Sequence, residues 1–249
     1  MSEWKVKRFW TEATVEPQAE GFAVLLDGRP VKTPAKAQLI LPTEGLAREV
    51  AAEWQAVDEN IDPLTMPFTR SANAAIDKVS LQHGEVADMI AAYGDSDLTC
   101  YRADTPEGLV KRQAEAWDPV LDWARVEQGI SLTPVQGVMH SPQEAKSLDR
   151  MAALTHQLDP FALTAFHDLV SLSGSFLLGL AVTEGLYPPE KVWQLSRIDE
   201  TWQEEQWGED EEATELAQTK KAAFLHAARF FELSKQAGKS SMGCIAGLT

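Results

Sequence analysis

The hydrophobic pattern of the first 42 residues is that of short antiparallel strands separated by turns. Residues 22–26 and 29–33 flank Asp27 and Gly28, a pair that supplies the positive φ angles of a two-residue hairpin turn. Further strands are predicted at residues 8–15 and 38–41. The pattern therefore indicates a small β-rich region at the start of the chain.

From Thr43 onward the apolar positions recur with the period of an α-helix. Leu46, Val50 and Trp54 lie on one stripe of a helix that begins at Thr43. Later helix starts are marked by a capping side chain or by proline in the first turn. These signals place helices from about residues 69, 105, 141, 159, 188 and 210, and a short strand at 98–102.

Two further helices are predicted in the helical region, one from an apolar run and one from its proline-containing start. Residues 169–182 form the longest apolar run, which is shorter than the ~20 residues that span a bilayer and contains three serines. We expect a helix buried on all sides there. A second helix is predicted from residue 188 through Trp193 towards Trp207, where Gly208 ends or bends it.

The predicted fold class is α+β, with a small N-terminal β-rich domain followed by a larger all-helical C-terminal domain. We expect the first domain to cover residues 1–75 and to include one helix. The helical domain should cover residues 76–235, and residues 236–249 should form a flexible tail, because they are small, polar and rich in glycine.

Composition limits the partners of the protein. The formal net charge is −16 and the isoelectric point is near 4.7, so neither a nucleic acid nor an anionic membrane surface is an expected partner. The N-terminus lacks a signal peptide's apolar stretch and is too acidic for a transit sequence, and the two cysteines have no paired spacing. We therefore expect a protein of a reducing compartment.

No motif for catalysis or cofactor binding stands out. The five histidines show no metal-ligand spacing, so no metal site is predicted. Gly174 and Gly179 have the spacing of a phosphate-binding loop, but Leu180 and Ala181 follow where lysine and a hydroxyl would be required. The sequence therefore predicts no cofactor and no enzymatic activity.

Residues 196–216 hold nine carboxylates and one arginine, which is a net charge of −8 out of −16 for the chain. Trp202 and Trp207 lie among these carboxylates, although a purely solvating acidic segment has few aromatic residues. The segment could be a surface that binds another macromolecule. Alternatively, it could be an acidic helix whose tryptophans face its own core. Both interpretations remain open on this pattern alone.

Six sequence blocks stand out together. They are DGRPVKTPA at 27–35, AEWQ at 52–55 with MPFT at 66–69, DLTCYR at 97–102, Gln113 with WDPVLDW at 117–123, GSFLLGLA at 174–181 and WGEDEEA at 207–213. In this order and spacing they resemble the family of assembly chaperones for the alpha subunit of the F-type ATP synthase catalytic head. The resemblance covers residues 9–213.

The resemblance implies a non-enzymatic chaperone that binds newly made alpha subunits and keeps them from aggregating until the ring assembles. The family occurs in alpha-proteobacteria and in mitochondria, so the protein is expected in the bacterial cytoplasm or, as a processed protein, in the mitochondrial matrix where its eukaryotic relatives are found. The Met1-Ser2 start favours the bacterial cytoplasm, and we expect the protein to be a monomer. From the charge density and the block at 207–213, we predict that the partner-binding residues are Glu200, Glu204, Glu205, Trp207, Glu209, Asp210 and Glu211.

The role of Trp202 is undecided at this stage, whereas Trp54 and Trp117 are predicted to pack in cores.

Two other functions remain as alternatives. The first is an acidic protein-binding adaptor, which would bind a basic protein with steep salt dependence. The second is a carboxylate-dependent hydrolase, which would need carboxylates of divergent pKa in one pocket.

Overall fold

The computed structural model describes residues 7–235 and divides the chain into two compact units. In that part, the first unit comprises residues 7–69 and 232–235, and the second is Arg70–Phe231. The predicted flexible tail at 236–249 lies outside the described residues. The contacts divide the chain after Thr69. This division does not test where a domain ends, so the boundary predicted after residue 75 stays a prediction.

The first unit contains a small antiparallel sheet. Its strands are β1 (Ala13–Gln18), β2 (Gly21–Leu26), β3 (Arg29–Pro30) and β4 (Ile40–Leu41). The long strand β2 is central, because it pairs with each of the other three. Asp27 and Gly28 adopt φ angles of 47° and 77° between β2 and β3, which is the predicted hairpin turn. The strand predicted at residues 8–15 was misplaced: the ladder with β2 begins only at Ala13.

One helix packs against this sheet within the first unit. Helix α1 (Glu44–Ala56) begins where predicted, and the Thr43 hydroxyl accepts a hydrogen bond from the Leu46 amide at 3.2 Å. Leu46 and Val50 are completely buried, as an apolar stripe facing the sheet requires.

Helix α2 (Pro67–Ala74) begins next to the carboxylate of Glu53. That carboxylate accepts hydrogen bonds from the amides of Phe68 and Thr69 at 2.6 and 2.7 Å and from the Thr69 hydroxyl at 2.7 Å. Because these amides lack partners inside the helix, Glu53 satisfies donors that would otherwise be unpaired.

The second unit is helical apart from one pair of two-residue strands. Its helices are α3 (His83–Ala91), α4 (Glu107–Trp123), α5 (Ala145–His156), α6 (Pro160–Ser173), α7 (Phe176–Thr183), α8 (Pro189–Leu195), α9 (Ile198–Trp207) and α10 (Glu211–Lys235). Residues 232–235 at the end of α10 belong to the first unit. The strands β5 (Tyr101–Arg102) and β6 (Val135–Gln136) pair in parallel. The predicted α+β class, β-rich first and then helical, is confirmed.

The centre of the second unit is formed by α6 and α7, whose apolar side chains are almost entirely buried. The predicted single helix over 169–182 is wrong, because the chain breaks at Gly174, which has a φ of 70°. Ser175 then caps α7 by accepting the Leu178 amide at 3.0 Å. Gly179 faces the side chain of Val170 on α6, so these helices approach closely.

The helix predicted from residue 188 to Trp207 is also divided in two. Arg197 separates α8 from α9 and has a non-helical φ of −114°. At the same place the indole of Trp117 donates a hydrogen bond of 2.8 Å to the carbonyl oxygen of Leu195. This tertiary contact occupies a carbonyl that would accept a backbone hydrogen bond in a continuous helix, and α9 begins separately at Ile198.

Candidate protein-binding surface

Helix α9 carries three of the predicted partner-binding carboxylates, and all three lie beside arginines of the same unit. Arg197 Nη1 contacts Glu200 Oε1 at 2.7 Å, and its Nη2 lies 3.9 Å from Glu204 Oε1. Arg112 of α4 binds both oxygens of Glu205, at 2.9 and 2.8 Å. Three of the four carboxylates of α9 therefore lie within ion-pair distance of an arginine, and two arginines serve all three.

The pair of Arg112 and Glu205 also shifts the ionisation of both groups. The hydrogen bonds from Arg112 lower the pKa of Glu205, and the same bonds raise the pKa of Arg112. Both side chains remain partly exposed, at 38% and 46% of their full surface. A cation from a partner could therefore reach Glu205 only by competing with Arg112.

The remaining predicted residues lie at and beyond the end of α9. Gly208, with a φ of 92°, ends the helix, and Trp207 just before it is 80% exposed. Asp210 accepts the Ala213 amide at 2.8 Å and so caps α10. Within residues 7–235, Glu209 and Glu211 form no ion pair and accept no side-chain hydrogen bond.

The two tryptophans of the acidic segment have different environments. The ring of Trp202 faces Gly108 of α4, where an added Cβ would lie only 2.8 Å from Trp202 Cη2. The Arg112 guanidinium lies 4.9 Å from the centre of the same ring, in cation–π geometry. Trp202 therefore holds α9 against α4. Trp207 is exposed, so the interface interpretation stays a prediction for Trp207, whereas the packing interpretation describes Trp202.

A cleft of about 430 Å³ lies between α9, the start of α4 and the segments that flank β5 and β6. We call it the α4–α9 cleft. Its apolar lining includes Leu109, Val138, Trp202 and Trp207. Its volume is within the range of about 300–1,000 Å³ that is typical of ligand-binding sites.

Carboxylates also line the α4–α9 cleft. Asp199 is fixed by the buried side chain of Gln113, whose Nε2 donates to Asp199 Oδ1 at 2.6 Å. The other end of that amide accepts a hydrogen bond of 2.8 Å from the Ala103 amide. Asp104 is the second acidic lining residue. The cleft therefore combines apolar side chains with negative charge.

Sequence reasoning missed most of this cleft. Leu109 and Gln113 of α4, Val138 after β6 and Trp202 of α9 come from three separate segments that only the tertiary structure brings together. One local signal was present, because Val138 and Met139 form an apolar pair in an otherwise polar and proline-containing loop.

The histidines are occupied by structural partners. His156 Nε2 contacts Asp88 at 2.7 Å, and His83 Nε2 contacts the Leu158 carbonyl at 2.7 Å. Across residues 7–235, no three His, Cys, Asp or Glu side chains are placed to hold a metal ion. The same range contains no helix with the length and apolarity to cross a membrane.

Three groups with raised pKa values lie away from the cleft lining. Burial raises the pKa of the Cys100 thiol to about 12, so the thiol is protonated at neutral pH. Burial also raises the pKa of Glu53 and of Asp97, and hydrogen bonds oppose both shifts. Both carboxylates accept amides at helix starts, which is a structural task.

Comparison with known proteins gives a consistent result. The family model described as ATP12 chaperone protein matches residues 7–125. The crystal structure of Atp12 from Paracoccus denitrificans superimposes with a TM-score of 0.91 at 51% identity, covering 94% of this chain and all of that one. The Atu1473 protein of Agrobacterium tumefaciens superimposes with a TM-score of 0.87 at 42% identity, covering 92% of this chain and 86% of that one.

A more distant relative is the mitochondrial protein atp12 of Schizosaccharomyces pombe. It is 26% identical over 222 residues, covering 84% of this chain and 76% of that protein. The similarity to the two bacterial structures includes the helical unit, because more than nine-tenths of the chain is matched in both.

Proposed function

Because this chain belongs to the ATP12 chaperone family, we propose that it is an assembly chaperone of the F-type ATP synthase. Its client is the unassembled alpha subunit, which it keeps from aggregating until the catalytic ring forms. The observation that supports a binding role best is the exposed indole of Trp207, which borders the α4–α9 cleft and precedes a run of carboxylates.

The physical requirements of such a chaperone agree with this surface. An unassembled ring subunit exposes apolar area that would otherwise self-associate. A large exposed ring can cover such area, because aromatic residues contribute much of the energy at protein interfaces. Carboxylates at the rim attract cationic groups of the client and speed association, while their contribution to affinity stays small enough for the client to be released.

The proposed client surface comprises the seven residues predicted from the sequence, but they do not contribute equally. Trp207, Glu209 and Glu211 are exposed and free to bind the client directly. Asp210 has a second task as the cap of α10. The paired carboxylates Glu200, Glu204 and Glu205 can bind a client cation only in competition with Arg197 or Arg112, so we assign them a smaller share.

In this proposal the protein is not an enzyme and acts by binding alone. It works in the bacterial cytoplasm, a setting supported by its similarity to proteins of two bacteria. The protonated Cys100 thiol and the structural positions of Glu53 and Asp97 agree with the absence of bond chemistry.

The test is suppression of alpha-subunit aggregation, followed by light scattering while the purified subunit is warmed. We expect the wild-type protein to suppress scattering near an equimolar ratio. The double variant Glu209→Lys/Glu211→Lys should need a severalfold higher ratio, because it replaces two unpaired carboxylates at the rim with repelling charges.

The matched control is Glu85→Lys/Glu127→Lys, which makes the same charge change at two other exposed positions of the helical unit. Glu85 lies in the first turn of its helix, as Glu211 does, so one substitution in each variant places a cation in the first turn of a helix. Failure of the wild-type protein to protect the alpha subunit would refute the function. Equal behaviour of the two variants would refute the assignment of the surface.

A further inference from the structure

The loop after β6 presents an apolar side chain at the α4–α9 cleft. Val138 lines the cleft and is 90% exposed, and Met139 beside it is 80% exposed. The loop is anchored, because β6 pairs with β5 and the Gly137 amide donates a hydrogen bond of 2.8 Å to the Arg102 carbonyl. Val138 is therefore held next to the cleft by backbone hydrogen bonds.

Val138 and Trp207 come from distant parts of the sequence and line the same cleft. Exposed apolar side chains that are scattered singly need no explanation, but a group around one concave surface indicates a binding site. Both side chains would lose most of their contact with water if an apolar group of a partner entered the cleft. Such burial stabilises a complex in proportion to the apolar surface removed from water, and the costs of association oppose it.

The charge of the cleft identifies the kind of group that would fit. Among the lining residues in the described chain, Arg102 is the one cation, and its guanidinium already binds Asp118 at 2.8 Å and the Thr99 carbonyl at 2.7 Å. Asp104 and Asp199 leave the cleft negatively charged. A segment with lysine or arginine close to a bulky apolar side chain would satisfy both features of the lining.

We propose that the α4–α9 cleft receives a segment of the client that carries a bulky apolar side chain next to lysine or arginine, with Val138 and Trp207 contacting that apolar side chain from two walls. This inference rests on the proposed function, because it identifies the client segment that the chaperone surface binds. It also adds the loop of Val138 and Met139 to a surface that the sequence had placed only on residues 200–211.

Photo-crosslinking tests the position of the client directly. Benzoylphenylalanine is placed at Val138 in one variant and at Val126 in a second, and each is irradiated with the purified alpha subunit. Val126 is the matched control, since it is 63% exposed on the same unit and lies outside the cleft lining. We expect the alpha subunit to crosslink at Val138 and not at Val126, through a segment with an apolar residue within a few positions of lysine or arginine.

Affinity supplies the second measurement. Val138→Ser/Met139→Ser should bind the alpha subunit about tenfold more weakly than wild type, the scale of a contact that contributes substantially to an interface. Val126→Ser should bind like wild type. Both positions are exposed, so neither substitution should alter the melting temperature.

The outcomes separate the two proposals. A wild-type protein that does not bind the alpha subunit overturns the proposed function and this inference together. If wild type binds, equal affinity of the two serine variants overturns the inference alone. A crosslink at Val138 to a second copy of this chain, or to an acidic segment of the alpha subunit, also overturns it.

Discussion

The guanidinium of Arg112 binds both carboxylate oxygens of Glu205 and lies over the ring of Trp202 at the same time. One side chain of α4 thereby contacts two residues of α9, three positions apart on one helix face. The contact fixes the helix that leads to Trp207. Glu205, one of the predicted partner-binding carboxylates, therefore stabilises the protein's own structure.

Replacing Arg112 should make Glu205 titrate as an ordinary carboxyl group. In Arg112→Gln, the pKa of Glu205 should rise towards its usual value of about 4.3, because the charged hydrogen-bond donor that lowers it is gone. Carbon-detected NMR of the Glu205 carboxyl measures the pKa. Lys111→Gln removes a neighbouring charge that pairs with Glu115 at 3.7 Å, and it should leave the pKa of Glu205 nearly unchanged. A Glu205 pKa that is the same in wild type and Arg112→Gln would contradict this account of the pair.

The same substitution should have opposite effects at two helical glycines, because Gly179 is closely packed and Gly84 is not. In Gly179→Ala, the new Cβ would lie 2.7 Å from Val170 Cγ2, in a buried site where a β-branched side chain has little freedom to move. The variant should lose about 1–3 kcal/mol of unfolding free energy through overpacking.

Gly84→Ala is the matched control, since no atom lies within 4 Å of the added Cβ in α3. It should leave stability unchanged or raise it by up to about 1 kcal/mol, because alanine favours the helix. Urea denaturation measures both variants. A Gly179→Ala protein as stable as wild type would show that α6 and α7 have room to separate.

Features of the fold that depend on neighbouring residues were predictable from the sequence. The turn at Asp27, the cap at Thr43 and the cap at Asp159 each act within a few residues, and the structure contains all three. The break before α9 was not predictable in this way. The Leu195 carbonyl is bound by Trp117, which is distant in the sequence and close only after folding.

The same distinction applies to the candidate surface. The carboxylates and Trp207 were identified from local composition, and the structure shows that Trp207 is exposed. Composition could not reveal that Glu205 is bound by Arg112, or that Val138 lies on the same cleft as Trp207. Those relationships depend on the packing of α4, α9 and the paired strands β5 and β6.

The turn at Asp27 predicts a pH-dependent contribution to stability. Its carboxylate accepts hydrogen bonds from the amides of Thr11 and Glu12, which lower the pKa of Asp27 in the folded protein. The folded state therefore favours the ionised form. The stabilisation is present above the unfolded pKa of about 3.9 and is lost as the pH falls through the lower folded value.

Asp27→Asn isolates this charge, because asparagine also tolerates the positive φ of the turn. The melting temperature of the variant should be below that of wild type at pH 6–7, and the difference should shrink as the pH falls below about 4. Calorimetry across this range measures the difference. A gap that stays constant with pH would show that the charge of Asp27 does not contribute.

The buried carboxylate of Asp97 links two of the blocks that carry the family resemblance. Its Oδ1 accepts the Thr99 amide at 2.9 Å and the hydroxyls of Thr99 and Ser175 at 2.7 Å each, and Oδ2 accepts the Leu177 amide at 3.0 Å. Every one of these contacts requires an acceptor. In Asp97→Asn, an NH₂ group takes the place of one of the two oxygens. Each oxygen accepts a backbone amide, so the NH₂ group faces an N–H donor that cannot rotate away as a hydroxyl can.

Asp97→Asn should therefore lower the unfolding free energy by about 1–3 kcal/mol, the cost of leaving a buried donor without a partner. Asp149→Asn, on the exposed side of α5, should change it by less than about 0.5 kcal/mol. Urea denaturation at neutral pH compares the two. Because the α4–α9 cleft is separate from these contacts, Asp97→Asn should still bind the alpha subunit below its own melting temperature. A variant that keeps wild-type stability but loses binding would instead give Asp97 a direct part in holding the client.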